Sequence, residues 1–99
     1  MDVHFGSRAL QRQYASLKEA VKKYGPDRGR RYVQRVNALY DAEDWDAIRQ
    51  IRSLRAHALR DNRAGQWALV LQGRWRLIVE VGDDRRSVTI LEVSNHYDD

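Results

Sequence analysis

The chain contains no cysteine. That removes disulfides, thiolate zinc sites and cysteine nucleophiles together, and it fits a reducing compartment, so the expected location is cytoplasmic. No apolar run approaches the ~20 residues that a membrane-spanning helix needs. The opening Met1-Asp2-Val3-His4-Phe5 lacks the basic start and apolar stretch of a signal peptide. Histidine is sparse. His4, His57 and His96 fall on different segments with no helix-spaced pair, so no strong metal signature exists and no cofactor is expected. There is no glycine-rich phosphate loop of the Walker or Rossmann type. None of Ser7, Ser16, Ser53, Ser87 or Ser94 sits in a recognisable nucleophile turn.

Lysine is also scarce. Of 18 basic residues only Lys18, Lys22 and Lys23 are lysine, and the remainder are arginine. With 14 acidic residues the net charge is +4. Arginine presents a planar fork that matches phosphate and carboxylate, whereas lysine is a simpler point charge. An arginine-heavy basic chain therefore suits a nucleic acid or an acidic protein partner, although solvated surface charge explains the same composition. Ninety-nine residues, 42% hydrophobic and 32% charged, fit one globular domain spanning residues 1–99.

Val3 to Phe5 reads as a short first strand ended by Gly6. Ser7 is placed to cap a helix. Leu10, Tyr14, Leu17, Val21 and Tyr24 then mark one helical face. Gly25-Pro26 breaks that helix, and Tyr32, Val33, Val36, Leu39 and Tyr40 mark a second, with Arg28, Arg30, Arg31 and Arg35 mostly on its other faces. Asp41 to Ile51, which holds four carboxylates, predicts a short helix or turn. Strands follow at Leu54–Leu59, Trp67–Leu71, Arg74–Val81 and Ser87–Val93. Gln72-Gly73 is a two-residue hairpin signal, and Gly82 to Arg86 forms a longer polar loop. Helices followed by an antiparallel sheet make an α+β fold.

Alternation along these strands separates two sets of side chains. Trp75, Leu77, Val79 and Val81 share one face of the third strand. Arg74, Arg76, Ile78 and Glu80 share the other. Trp67 and Trp75 stand among alternating aliphatics and are assigned to the core rather than to base stacking. The residues that suit chemistry are His57, Arg60, Arg63, Arg74, Arg76, His96 and Tyr97. RNA is cut without a metal when its own 2′-hydroxyl attacks the adjacent phosphate. That reaction needs a base, an acid for the departing 5′-oxygen and cations for the charge on phosphorus. Histidine titrates near neutrality and suits either proton-transfer role. Tyrosine can donate or accept a proton, and arginine supplies charge and geometry. His57 and the His96-Tyr97 tail meet only if the sheet brings the two ends together.

The run His57-Ala-Leu-Arg-Asp-Asn-Arg-Ala-Gly-Gln-Trp67, followed by Gln72-Gly73-Arg74-Trp75-Arg76-Leu77, resembles the RelE/ParE toxin superfamily. Within it, the run is most similar to the HigB branch, the plasmid-maintenance killer proteins. The resemblance extends over nearly the whole chain. It implies N-terminal helices packed on a curved, mainly antiparallel sheet. It also implies a toxin of a type II toxin–antitoxin system that acts as a ribosome-dependent, metal-independent mRNA endonuclease, neutralised by a HigA-type helix-turn-helix antitoxin. Carried over residue by residue, His57 matches the family's strand histidine and Arg76 the arginine of its Trp-Arg-Leu strand. Arg60 stands where lysine is usual. Asn95-His96-Tyr97 lies over an Asp-Tyr-His tail, with the aromatic and imidazole in swapped order and the carboxylate replaced by an amide. His57, Arg76, His96 and Tyr97 are thus the expected catalytic residues, with Arg60, Arg63 and Arg74 as phosphate ligands and the ribosome and mRNA as partners. Two other functions share the fold: a ParE-like gyrase inhibitor that cuts nothing, and a degenerate module that only binds an antitoxin.

Overall fold

The computed structural model describes residues 1–95; His96 and Tyr97 lie outside them. Strand β1 (Asp2–Phe5) leads into helices α1 (Arg8–Ala15), α2 (Leu17–Tyr24), α3 (Pro26–Asp41) and α4 (Trp45–Arg49). A 3-10 turn at Arg52–Leu54 precedes strands β2 (His57–Ala58), β3 (Gln66–Gln72), β4 (Trp75–Val81) and β5 (Ser87–Ser94). The sheet order is β1-β5-β4-β3-β2. β1 runs parallel to β5, and the other pairings are antiparallel. The expected α+β class holds.

Local chemistry sets the helix ends. Ser7 Oγ accepts the Leu10 N–H at 3.1 Å and opens α1. The stripe from Leu10 to Tyr24 predicts one helix, but Ser16 divides it. Its backbone is extended, and its hydroxyl accepts the Glu19 N–H to start α2. Ser-x-x-Glu is a recognised helix start, and here it overrides an otherwise continuous apolar stripe. Gly25, at φ 89°, makes the reversal into α3, whose first turn holds Pro26. The returning helix presses on α2 at Gly29, where a Cβ would come within 2.7 Å of the Val21 backbone nitrogen. Asp44 caps α4 through Ala47 N–H at 3.0 Å.

The helices cover one face of the sheet. Leu69 and Leu71 of β3, Leu77 and Val79 of β4, and Val88 and Ile90 of β5 are buried there against Tyr32, Val36, Leu39, Trp45 and Ile48. Trp67 and Trp75 are only half-buried, at the margin of this core. Each has a guanidinium above its ring, Arg49 over Trp67 and Arg28 over Trp75. The fully buried tryptophan is Trp45, packed edge-on against Trp67.

The opposite face carries no helix among the described residues, yet it is not uniformly polar. Leu59, Ala68 and Ile78 are buried on it, with Leu91 packed alongside. Leu91 is the extra residue where the β4–β5 register shifts, since Ile78 pairs with Glu92 while Val79 pairs with Ile90. The apolar and polar sets expected on β4 therefore separate correctly except at Ile78, which seeds a small second cluster.

A candidate phosphate-binding cleft

The expected strand Leu54–Leu59 is cut to two residues. Leu54 is buried at the end of the 3-10 turn, and Arg55 follows in the left-handed conformation, φ 48° and ψ 47°, so the chain cannot extend until His57. Such a φ is uncommon for a residue with a side chain. β2 pairs only with Trp67 and Ala68 of β3. Beyond Ala68 the outer edge of β3 has no strand beside it among the described residues.

Arginines from α3 fill that gap. Arg35 Nε donates to Val70 O at 3.0 Å, Arg31 Nη1 to Leu71 O at 3.5 Å and Arg28 Nη1 to Gln72 Oε1 at 3.4 Å. Positions 28, 31 and 35 repeat at helical spacing and so share one face. Covering an exposed strand edge with charge also discourages edge-to-edge association. Burial, and then the charge of Arg31, lower the pKa of Arg35. These side chains were expected off the apolar stripe of the helix, and the structure sets them along the sheet edge. Their spacing was the available signal.

The gap opens on the uncovered face as a cleft of about 490 Å³ lined by Arg55, Ala56, His57, Val70 and Arg76. Register explains the convergence. His57 is opposite Ala68, and Arg76 is opposite Val70, one pleat along on the same face. The His57 Nδ1 lies 3.2 Å from Arg55 O. A carbonyl only accepts, so Nδ1 carries the proton, and in the neutral ring Nε2 holds the lone pair. Arg76 Nη1 donates to Gly73 O at 2.6 Å and Trp75 O at 3.0 Å. Neither Arg55 nor Arg76 has an ion-pair partner among the described residues. Two guanidiniums beside an imidazole can hold an anionic group and exchange a proton with it.

Of the expected site residues, His57 and Arg76 come together here, joined by Arg55, which the sequence did not single out. On β5, Ser94 is opposite Arg76, so the chain leaves the sheet beside the cleft at Asn95. The expected contributions of His96 and Tyr97 lie outside the described residues. Arg74 is exposed in the β3–β4 turn, next to a different hollow with Trp75. Arg60 is exposed in the loop after β2. Arg63, in the same loop, bonds Gln66 at 2.9 Å and faces Glu92 at 3.8 Å. His4 is at the far edge of the sheet, opposite Thr89. Among the described residues no three of His, Asp, Glu or Cys gather in a way that could hold a metal ion.

No protein-family model matches the sequence, and no curated protein matches it either. The likeness is structural. A YoeB/ParE toxin from Agrobacterium tumefaciens superposes with a TM-score of 0.60 at 17% identity, covering 98% of this chain and 100% of that one. The YoeB dimer from Staphylococcus aureus gives 0.57 at 17% identity over 98% of each chain. The RelBE2 toxin–antitoxin complex from Mycobacterium tuberculosis gives 0.51 at 22% identity over 94% of each. The chain thus has the fold of RelE- and YoeB-like toxins. No helix among the described residues is long and apolar enough to cross a membrane.

Proposed function

We propose that this protein is the toxin of a type II toxin–antitoxin system, a HigB-like endoribonuclease that cuts mRNA on the ribosome and is held in check by a HigA-type antitoxin in the cytoplasm. The observation that carries the reading is the meeting of His57 and Arg76 in one cleft, beside the point where β5 ends. The chemistry follows from the groups. A base removes the proton of the RNA 2′-hydroxyl as that oxygen attacks the adjacent phosphorus. The bond from phosphorus to the 5′-oxygen breaks, and an acid protonates the departing oxygen. The products are a 2′,3′-cyclic phosphate and a 5′-hydroxyl. His57 performs one proton transfer, its ring oriented by the Nδ1 contact to Arg55 O. Arg76, already oriented by two carbonyls, stabilises the charge that accumulates on the phosphate. His96 and Tyr97 supply the second proton-transfer group. Arg60, Arg63 and Arg74 hold phosphates further along the strand, and Arg63 gives up a loose contact to Glu92 to do so.

The test is induced expression in a bacterial host, with RNA ends mapped after growth stops. Cleavage within translated mRNA, suppressed by co-expression of a HigA-type partner, supports the reading. The gyrase-inhibitor alternative predicts DNA breaks and a DNA-damage response with mRNA left whole. A module that only binds its antitoxin predicts no toxicity at any expression level.

A further inference from the structure

We propose a second nucleotide-binding hollow at the β3–β4 hairpin end, which takes a nucleotide flanking the one in the His57 cleft. The proposal rests on the reading of that cleft as an RNA site and adds to it. The hollow, about 550 Å³, is lined by Arg28, Gln72, Gly73, Arg74, Trp75 and Asn95. It has the volume of a small-ligand site and the residue types that recognise a nucleotide: an aromatic ring, two amides and two arginines.

The construction is specific. The Arg28 guanidinium lies 4.4 Å from the centre of the Trp75 ring and donates to Gln72 at 3.4 Å. Its Nε is buried without a hydrogen-bond partner among the described residues, so stacking holds this group more than hydrogen bonding does. A guanidinium held over an indole in this way can in turn contact a base and bond a phosphate. Arg74 sits in the turn above, exposed and without an ion-pair partner among the described residues. Asp27, next to Arg28 in the chain, lines the neighbouring hollow and faces Arg30 at 3.8 Å.

The hollow and the cleft are joined by one side chain. Arg76 lines the cleft, and its Nη1 is bonded to the carbonyls of Gly73 and Trp75, both lining residues of the hollow. Arg31 and Arg35 fill the sheet edge alongside. A single strand leaving the cleft past Arg76 would pass round the β3–β4 end of the sheet, beside Arg74, to reach Arg28 and Trp75. An acidic protein segment would also be attracted by the charge, but it would leave the stacked Arg28–Trp75 pair without a planar group to receive.

The experiment titrates the full chain with fully 2′-deoxy oligonucleotides of two to eight residues, which cannot be cut. It follows the Trp75 indole N–H and the Arg28 and Arg76 guanidinium signals by NMR. The shortest oligomer is expected to move Arg76 alone, and longer ones to move Trp75 and Arg28 with a stepwise gain in affinity. Arg28→Ala should remove that step, roughly tenfold, while affinity for the shortest oligomer stays unchanged; Arg74→Ala in the exposed turn should independently weaken binding of the longer oligomers. Trp75 and Arg28 signals that no oligomer moves would overturn the proposal. So would inorganic phosphate moving them as far as the oligomer does, or poly-glutamate moving them where the oligomer does not. If Trp75 and Arg28 respond while Arg76 does not, the hollow stands and the cleft reading fails.

Discussion

The two faces of the sheet are built from the same strands yet do opposite work. Under the helices, Leu69, Leu71, Leu77, Val79 and Ile90 are fully enclosed, and side chains from every long element converge on them. On the other face, alternate residues of those strands give a small apolar cluster around Ile78 and, one pleat away, the cationic cleft. The helical face carries most of the apolar burial that stabilises the fold. The uncovered face can therefore hold Arg55 and Arg76 close to His57, where their mutual repulsion is tolerated because the scaffold is secured elsewhere. Charge is concentrated where it contributes little to folding and where the proposed anion site lies.

That contrast can be broken most sharply at His57. His57→Ala should lower RNA cleavage by ~10²–10⁴-fold, the usual cost of losing one acid or base, with a melting temperature close to that of the unsubstituted protein. Arg76→Ala should behave in the same way. A large drop in melting temperature in either variant would assign that residue to the scaffold. The reverse result is expected across the sheet. Leu77→Ala removes a fully enclosed side chain and should cost ~2–5 kcal/mol in denaturant unfolding.

Ile78 sits between these extremes. It is as enclosed as Leu77, but by Leu59, Ala68 and Leu91 instead of the main core. Ile78→Val should cost roughly 0.5–1.5 kcal/mol and, by loosening Leu59 two residues from His57, reduce cleavage more than Leu77→Val does at equal stability. Equal losses of activity would show that the small cluster does not position the cleft.

A smaller effect is expected from pH. Burial pushes the Tyr24 hydroxyl up to about 12, and it donates to Gln13 Oε1 at 2.6 Å. The raised value means that the folded state favours the neutral phenol. Its contribution is complete below the ordinary value of 10.0 and is lost as pH rises through about 12. Tyr24→Phe should flatten the alkaline limb of the stability profile. The smallest effect concerns Asp46, which accepts a 2.6 Å bond from Arg85 that lowers its pKa. A lowered value stabilises above the ordinary 3.8 and is lost as pH falls below it, so Asp46→Asn should soften only the acid limb.

The contrast between the faces was legible in the alternation of β4, and the hairpin at Gln72-Gly73 was legible in its residues. The helix break at Ser16 was also written locally, in Ser16 and Glu19, but the apolar stripe across it was the louder pattern. Three features were not readable in this way. The parallel pairing of β1 with β5 joins residues some 85 positions apart, and nothing in either strand encodes its partner. β2 shrank because Arg55 adopts a left-handed backbone, which its residue type does not announce. The partners of Arg28, Arg31 and Arg35 could not be read, because their acceptors are main-chain carbonyls and one amide on β3, which only the assembled sheet supplies. The cleft was therefore half visible. His57 and Arg76 could be named from their strands, whereas Arg55 and the arginine-lined edge depend on the fold.

RNA cleavage at the uncovered face is tested in a reconstituted translation system programmed with a defined mRNA. The unsubstituted protein should leave 2′,3′-cyclic phosphate ends on ribosome-bound message, and folded His57→Ala should leave that message whole. Intact mRNA with the unsubstituted, folded protein, or equal cleavage by both proteins, would contradict the account.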